Sequence, residues 1–165
     1  MQQEHKKAMR GGTAVKIICW VLTAACMAAI FYFSSRTADE SEQQSGFFAQ
    51  LITRLFGIGD FSDFIIRKLA HFTEFAGLGL LFAIALKVQT GKPKTPAAII
   101  CSSIYAATDE IHQIFVPGRA CRVLDWGIDT CGAALGALAV LLILTLAAKN
   151  KAAKSKKQSN NKQAK

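Results

Sequence analysis

A chain of 165 residues with 52% hydrophobic residues and a formal charge of +9 suffices for one domain and is too apolar for a disordered or nucleic-acid-coating protein. Its apolar residues fall into blocks of about 20, the length that crosses a bilayer, so the expected class is an all-α membrane protein. The five cysteines form no C-x-x-C pair, and Cys19, Cys26, Cys101 and Cys131 lie inside apolar blocks, which argues against a disulfide framework or a structural zinc centre.

The expected organisation is a basic cytoplasmic N-terminus over residues 1–13, a four-helix membrane domain over 14–147, and a disordered, Lys-rich cytoplasmic tail over 148–165. The first block, 14–33, has a basic start. It continues to Phe33, and Ser34-Ser35-Arg36 offers no small-x-small cleavage site, so it reads as a retained span instead of a cleaved leader. The connection from 34 to 65 is too patterned for a linker. Thr37-Ala38-Asp39-Glu40 has the spacing of a capping box, and Phe47, Phe48, Leu51, Ile52, Leu55 and Phe56 recur at helical spacing. An amphipathic helix is expected there, lying in the membrane interface or capping the bundle and ended by Gly57 and Gly59. Asp60 or Ser62 then offers an N-cap to the second span.

The second block runs from 66 to 86, the third from 96 to 115 and the fourth from 126 to 148, with a basic turn over 87–95 between the second and third. The third is the most polar, and a helix end is expected near Ile114. Lys and Arg set the orientation. Four basic residues precede or open the first span, three stand in the 87–95 turn and seven in the tail, so 14 of the 20 lie on one side, with Glu4 the only acid there. Both termini are therefore expected in the cytoplasm of a multi-pass cell-membrane protein. The net charge then reads as an orientation signal with attraction to anionic headgroups, and no nucleic-acid partner is implied.

The ionisable residues of the spans gather toward the other side. Arg67, Lys68, His71 and Glu74 open the second span; Asp109, Glu110, His112 and Gln113 close the third; Asp125 and Asp129 open the fourth. Each charge costs roughly 2.5–3.5 kcal/mol on insertion scales, which calls for a polar site. At about 100° per residue Arg67, His71 and Glu74 share one stripe, Tyr105, Asp109 and His112 share another, and Asp125 and Asp129 lead into Gly132 and Gly136 on a third. The Gly-x-x-x-Gly pair marks a face packed on protein, not lipid. His and carboxylate three apart, as in His71/Glu74 and Asp109/His112, serves acid–base dyads and carboxylate metal sites alike. A network of paired charges that merely fixes the bundle is the plainer alternative, and a proton relay a further one.

Pro117-Gly118 then makes a turn that aims Arg119 and Arg122 at the same region, and Arg is the planar, bidentate partner of phosphate. The ligands in reach are membrane lipids or lipid-linked cell-wall intermediates. Lys68, Gln113, Arg119, Arg122, Asp125 and Asp129 are the candidate headgroup-binding residues, and His71, Glu74, Asp109 and His112 the candidate catalytic ones. No cofactor is implied, and a divalent metal is a lesser reading. Transport is the least favoured function, since so few spans leave little room for an alternating pathway.

Over residues 14 to 147 the chain resembles the VanZ-like membrane family. The resemblance rests on Asp109-Glu110-Ile111-His112-Gln113-Ile114-Phe115-Val116-Pro117-Gly118-Arg119, on the later Asp125 and Asp129, on Phe33-Ser34-Ser35, and on Lys68-Leu69-Ala70-His71-Phe72-Thr73-Glu74-Phe75. It implies a stand-alone, four-span envelope protein of the kind found mainly in Gram-positive bacteria. The family's namesake is associated with resistance to teicoplanin-type glycopeptides, a link that likeness alone does not carry to this chain. Two functions follow as expectations: an outward-facing site that binds a headgroup, or an enzyme that modifies an envelope lipid by His/carboxylate acid–base or metal-assisted chemistry.

Overall fold

The computed structural model describes residues 12–56 and 63–163. These form five helices: α1 (Thr13–Ser34), α2 (Ala38–Phe56), α3 (Asp63–Thr90), α4 (Thr95–Gln113) and α5 (Val123–Gln163), with no strand among the described residues. At about 1.5 Å per residue the 22 residues of α1 reach about 33 Å, close to the roughly 30 Å of a bilayer core. Three helices are long and apolar enough to cross a membrane: α1, residues 65–90 of α3 and residues 123–155 of α5. The 19-residue α4 has the length but not the apolarity, because its second half carries Tyr105, Asp109, Glu110, His112 and Gln113.

α3 is the centre of the bundle, packed against α1, α2, α4 and most extensively α5. Its Phe75, Leu78 and Phe82 form the core with Ile30 of α1, Ala98 and Ala106 of α4, and Ala133, Ala137 and Val140 of α5. The α3–α5 contact is close because three glycines leave room for backbone. A Cβ on Gly132 would overlap the Phe72 carbonyl, one on Gly136 the Ala76 carbonyl, and one on Gly79 the Ala133 carbonyl. The small-residue face read from the sequence thus packs on protein.

The helix ends follow the local sequence. Thr95-Pro96 opens α4, where a missing N–H costs nothing, and Ile114 caps its far end. α2 begins in a reciprocal capping box: Glu40 N–H donates to Thr37 Oγ1 at 3.3 Å and Thr37 N–H to Glu40 Oε2 at 3.1 Å. Of its expected apolar stripe, Phe47 is exposed; the other apolar side chains, and the Gly57, Gly59, Asp60 and Ser62 signals, lie outside the described residues.

α5 runs on unbroken to Gln163, through the Lys-rich residues that follow 147. Lys, Ala and Gln are strong helix formers, and a helix already nucleated in the bundle extends through them with no second nucleation cost. Residues 145–155 are exposed, so helix propensity and not packing carries the extension.

Candidate functional site

α3 and α5 begin, and α4 ends, around a pocket of about 150 Å³. α3 contributes Arg67 and Lys68 and, one helical turn further on, His71, all three half-buried. Gln113 comes from the last residue of α4, Asp125 from the first turn of α5, and Ala38 from the first residue of α2. The α4–α5 loop supplies Gly118, Arg119, Ala120 and Arg122. Four cationic side chains therefore line the pocket against one carboxylate.

The loop is held by bonds to elements distant in sequence. Ala38 N–H donates to the Pro117 carbonyl at 3.2 Å, and Arg119 Nε–H donates to the Arg36 carbonyl at 2.9 Å. Gly118 has φ +75°, and a side chain there would also come within 2.8 Å of Ala38 Cβ, so the turn requires glycine twice over. Arg122 N–H donates to Glu110 Oε2 at 2.7 Å, which ties the loop back to α4. Burial, then the charge of Arg67, pulls the Arg119 guanidinium below its ordinary pKa, while Asp109, Glu110 and Glu74 draw it back up. A guanidinium keeps its charge through such shifts.

The expected residues fall into three groups. Lys68, His71, Gln113, Arg119, Arg122 and Asp125 line the pocket. Lys68 forms an ion pair with Asp125. His71 has a buried Nδ1, and Asp125 a buried Oδ1, without a hydrogen-bond partner.

Glu74, Asp109 and Asp129 sit beneath the pocket and do not line it. Asp129 is fully buried with neither oxygen partnered, within electrostatic reach of Glu110, Asp109, Asp125 and Lys68. Asp109 Oδ2 accepts from Ser34 Oγ at 2.7 Å and from Gln113 Nε2 at 3.2 Å, leaving Oδ1 without a partner.

His112 does not line the pocket and lies within electrostatic reach of Asp109. Its ring stacks on Phe31 with centroids 4.4 Å apart, and its Nε2 lies 3.1 Å from Ser35 Oγ. Tyr105, on the same stripe, donates to the Met27 carbonyl at 2.7 Å. That stripe of α4 faces α1, so His71 and His112 do not meet across one site. Among the described residues no group of three or more His, Cys, Asp or Glu could hold a metal ion.

Two site residues carried no assigned role in the sequence reading. Arg67 lies one turn from His71, on the stripe that the spacing already marks, and lines the pocket with it. Glu110 accepts a backbone bond, which no residue spacing reveals.

A family model described as VanZ/LLP1 matches residues 19–145, which take in every residue lining the pocket. The chain belongs to the VanZ/LLP1 family. The VanZ/LLP1 stretch begins within α1 and stops at Thr145, before the Lys-rich end of α5, so pocket and glycine-packed core fall inside it and the basic extension outside. No match is found to a curated protein or to a solved structure.

Proposed function

We propose that this VanZ/LLP1 protein binds the phosphate-bearing headgroup of a membrane lipid or lipid-linked cell-wall intermediate in the pocket formed by α3, α4, α5 and the 114–122 loop. The carrying observation is the charge of the lining: Arg67, Lys68, Arg119 and Arg122 against Asp125 alone. Arg119 and Arg122 sit on a loop anchored at three points, so their positions are set before a ligand arrives. In this reading α4 is the fourth span, and the basic residues keep both termini in the cytoplasm, which turns the pocket outward. Capture of a cell-wall intermediate is the route by which such a protein would alter susceptibility to teicoplanin-type glycopeptides.

The test is the lipid that travels with the protein. After purification in mild detergent, mass spectrometry should find one class of phosphate-bearing lipid at about one per chain. Arg67→Ala and Arg119→Ala should each lose it at unchanged abundance. Co-purification indifferent to both substitutions would reject the proposal.

A second reading, acid–base modification of the headgroup, is supported by His71, whose ring lines the pocket among the cations with Nδ1 unpartnered. It predicts many product molecules per protein from an envelope-lipid extract, with turnover lost in His71→Gln while lipid binding persists. Chelator sensitivity of that turnover would identify metal assistance.

A further inference from the structure

At the opposite end of the bundle a second, open hollow of about 560 Å³ lies along the start of α1, with Gln89 at the end of α3 on its other side. Its polar liners are Thr13 and Lys16 from the first turn of α1 and Gln89 from the last turn of α3; Ile17, Trp20, Val21 and Ala24 continue it along α1. From Lys16 to Ala24 the wall runs about 12 Å into the apolar part of the helix. Trp20 meets Phe82 of α3 edge-on, with centroids 6.1 Å apart, so the indole is packed in place. Ile17 and Val21 remain 58% and 59% exposed. A cation at the mouth of an apolar trough, at the depth where a spanning helix leaves hydrocarbon, has the layout of an amphiphile.

We propose that this hollow seats a phospholipid of net negative charge from the leaflet at the basic end of the bundle, with one acyl chain along Ile17, Trp20, Val21 and Ala24 and its phosphate on Lys16. The Thr13 hydroxyl and the Gln89 amide can donate to the same headgroup. Charge favours an anionic lipid over a zwitterionic one: Lys16 is the charged side chain of the lining, and no acid stands beside it there. Trp at this depth suits a membrane interface, where one edge of the ring is apolar and the other wet. The inference rests on α1 and α3 crossing a membrane and not on the pocket at the other end.

Trp20 is its own reporter, since the chain has two tryptophans. In a Trp126→Phe protein reconstituted in phosphatidylcholine vesicles, dibrominated phosphatidylglycerol should quench Trp20 with roughly five-fold higher affinity than dibrominated phosphatidylcholine, the attraction of about one lysine. Lys16→Gln should abolish the preference, and Ala24→Phe, which fills the trough, should weaken quenching by both lipids. Equal quenching by the two lipids in the Lys16 protein would overturn the proposal, leaving bulk lipid only. So would a preference that survives Lys16→Gln, which would locate the attraction in the diffuse basic charge. Quenching by neither would mean that protein, such as a second copy, covers the hollow. Native mass spectrometry of the unsubstituted chain gives a parallel reading: phosphatidylglycerol retained over phosphatidylcholine, with the excess lost in Lys16→Gln.

Discussion

Asp129 and Asp125 are one turn apart on α5 and stand in opposite situations. Asp129 is fully buried with both oxygens unpartnered, whereas Asp125 forms an ion pair with Lys68. A buried polar group without partners costs stability, and removing one partner of an existing ion pair is destabilising. Asp129→Leu should therefore raise the melting temperature in detergent, and Asp125→Asn should lower it. Shifts of the same sign would refute the contrast. The glycines of α5 give a sharper comparison. A Cβ at Gly136 meets the Ala76 backbone, while one at Gly127 meets nothing within 4 Å. Gly136→Ala should cost about 1–3 kcal/mol through overpacking. Gly127→Ala should be neutral or slightly stabilising, by up to about 1 kcal/mol of helix propensity. Thermal unfolding of the two single variants decides it.

The start of α2 is fastened by the Thr37/Glu40 box and by the Ala38–Pro117 bond. Thr37→Ala should cost about 1 kcal/mol, felt locally. Hydrogen exchange should accelerate in the first turns of α2 and leave the buried amides of α3 and α5 unchanged; uniform acceleration would show that the box supports the whole bundle. This box was legible in the sequence, as were the helix ends near Ser34, Thr95 and Ile114 and the glycine face of α5, because each depends on residues within a turn or two of one another. The stripe formed by Tyr105, Asp109 and His112 was legible too, but not its destination. Periodicity fixes which residues share a face and says nothing of the neighbour, and that face turned to Met27, Phe31, Ser34 and Ser35 of α1. Gln113, which flanks the stripe, reached the pocket instead.

At the level of the whole molecule the distribution of lysine and arginine bears on both hollows, since the orientation proposed from it puts them in opposite leaflets. Cys121 is exposed in the 114–122 loop and offers a native label. A protein retaining only Cys121 should react in intact cells with a membrane-impermeant maleimide, and one carrying only a cysteine at Lys92 or Asn160 should react after lysis alone. The reverse pattern would invert both proposed ligand sites together. The cationic pocket also has a history within synthesis. Its walls come from α2, α3, α4, the 114–122 loop and Asp125, and the loop is fastened to Arg36, a residue 83 positions earlier. During vectorial insertion α3 enters the bilayer carrying Arg67 and Lys68 while Asp125 and the glycines that dock α5 are still unmade. The pocket is closed by the last of its own helices to leave the ribosome, so a chain stopped short of α5 is left with cationic walls and an open side, and an intact pocket certifies that α5 has docked.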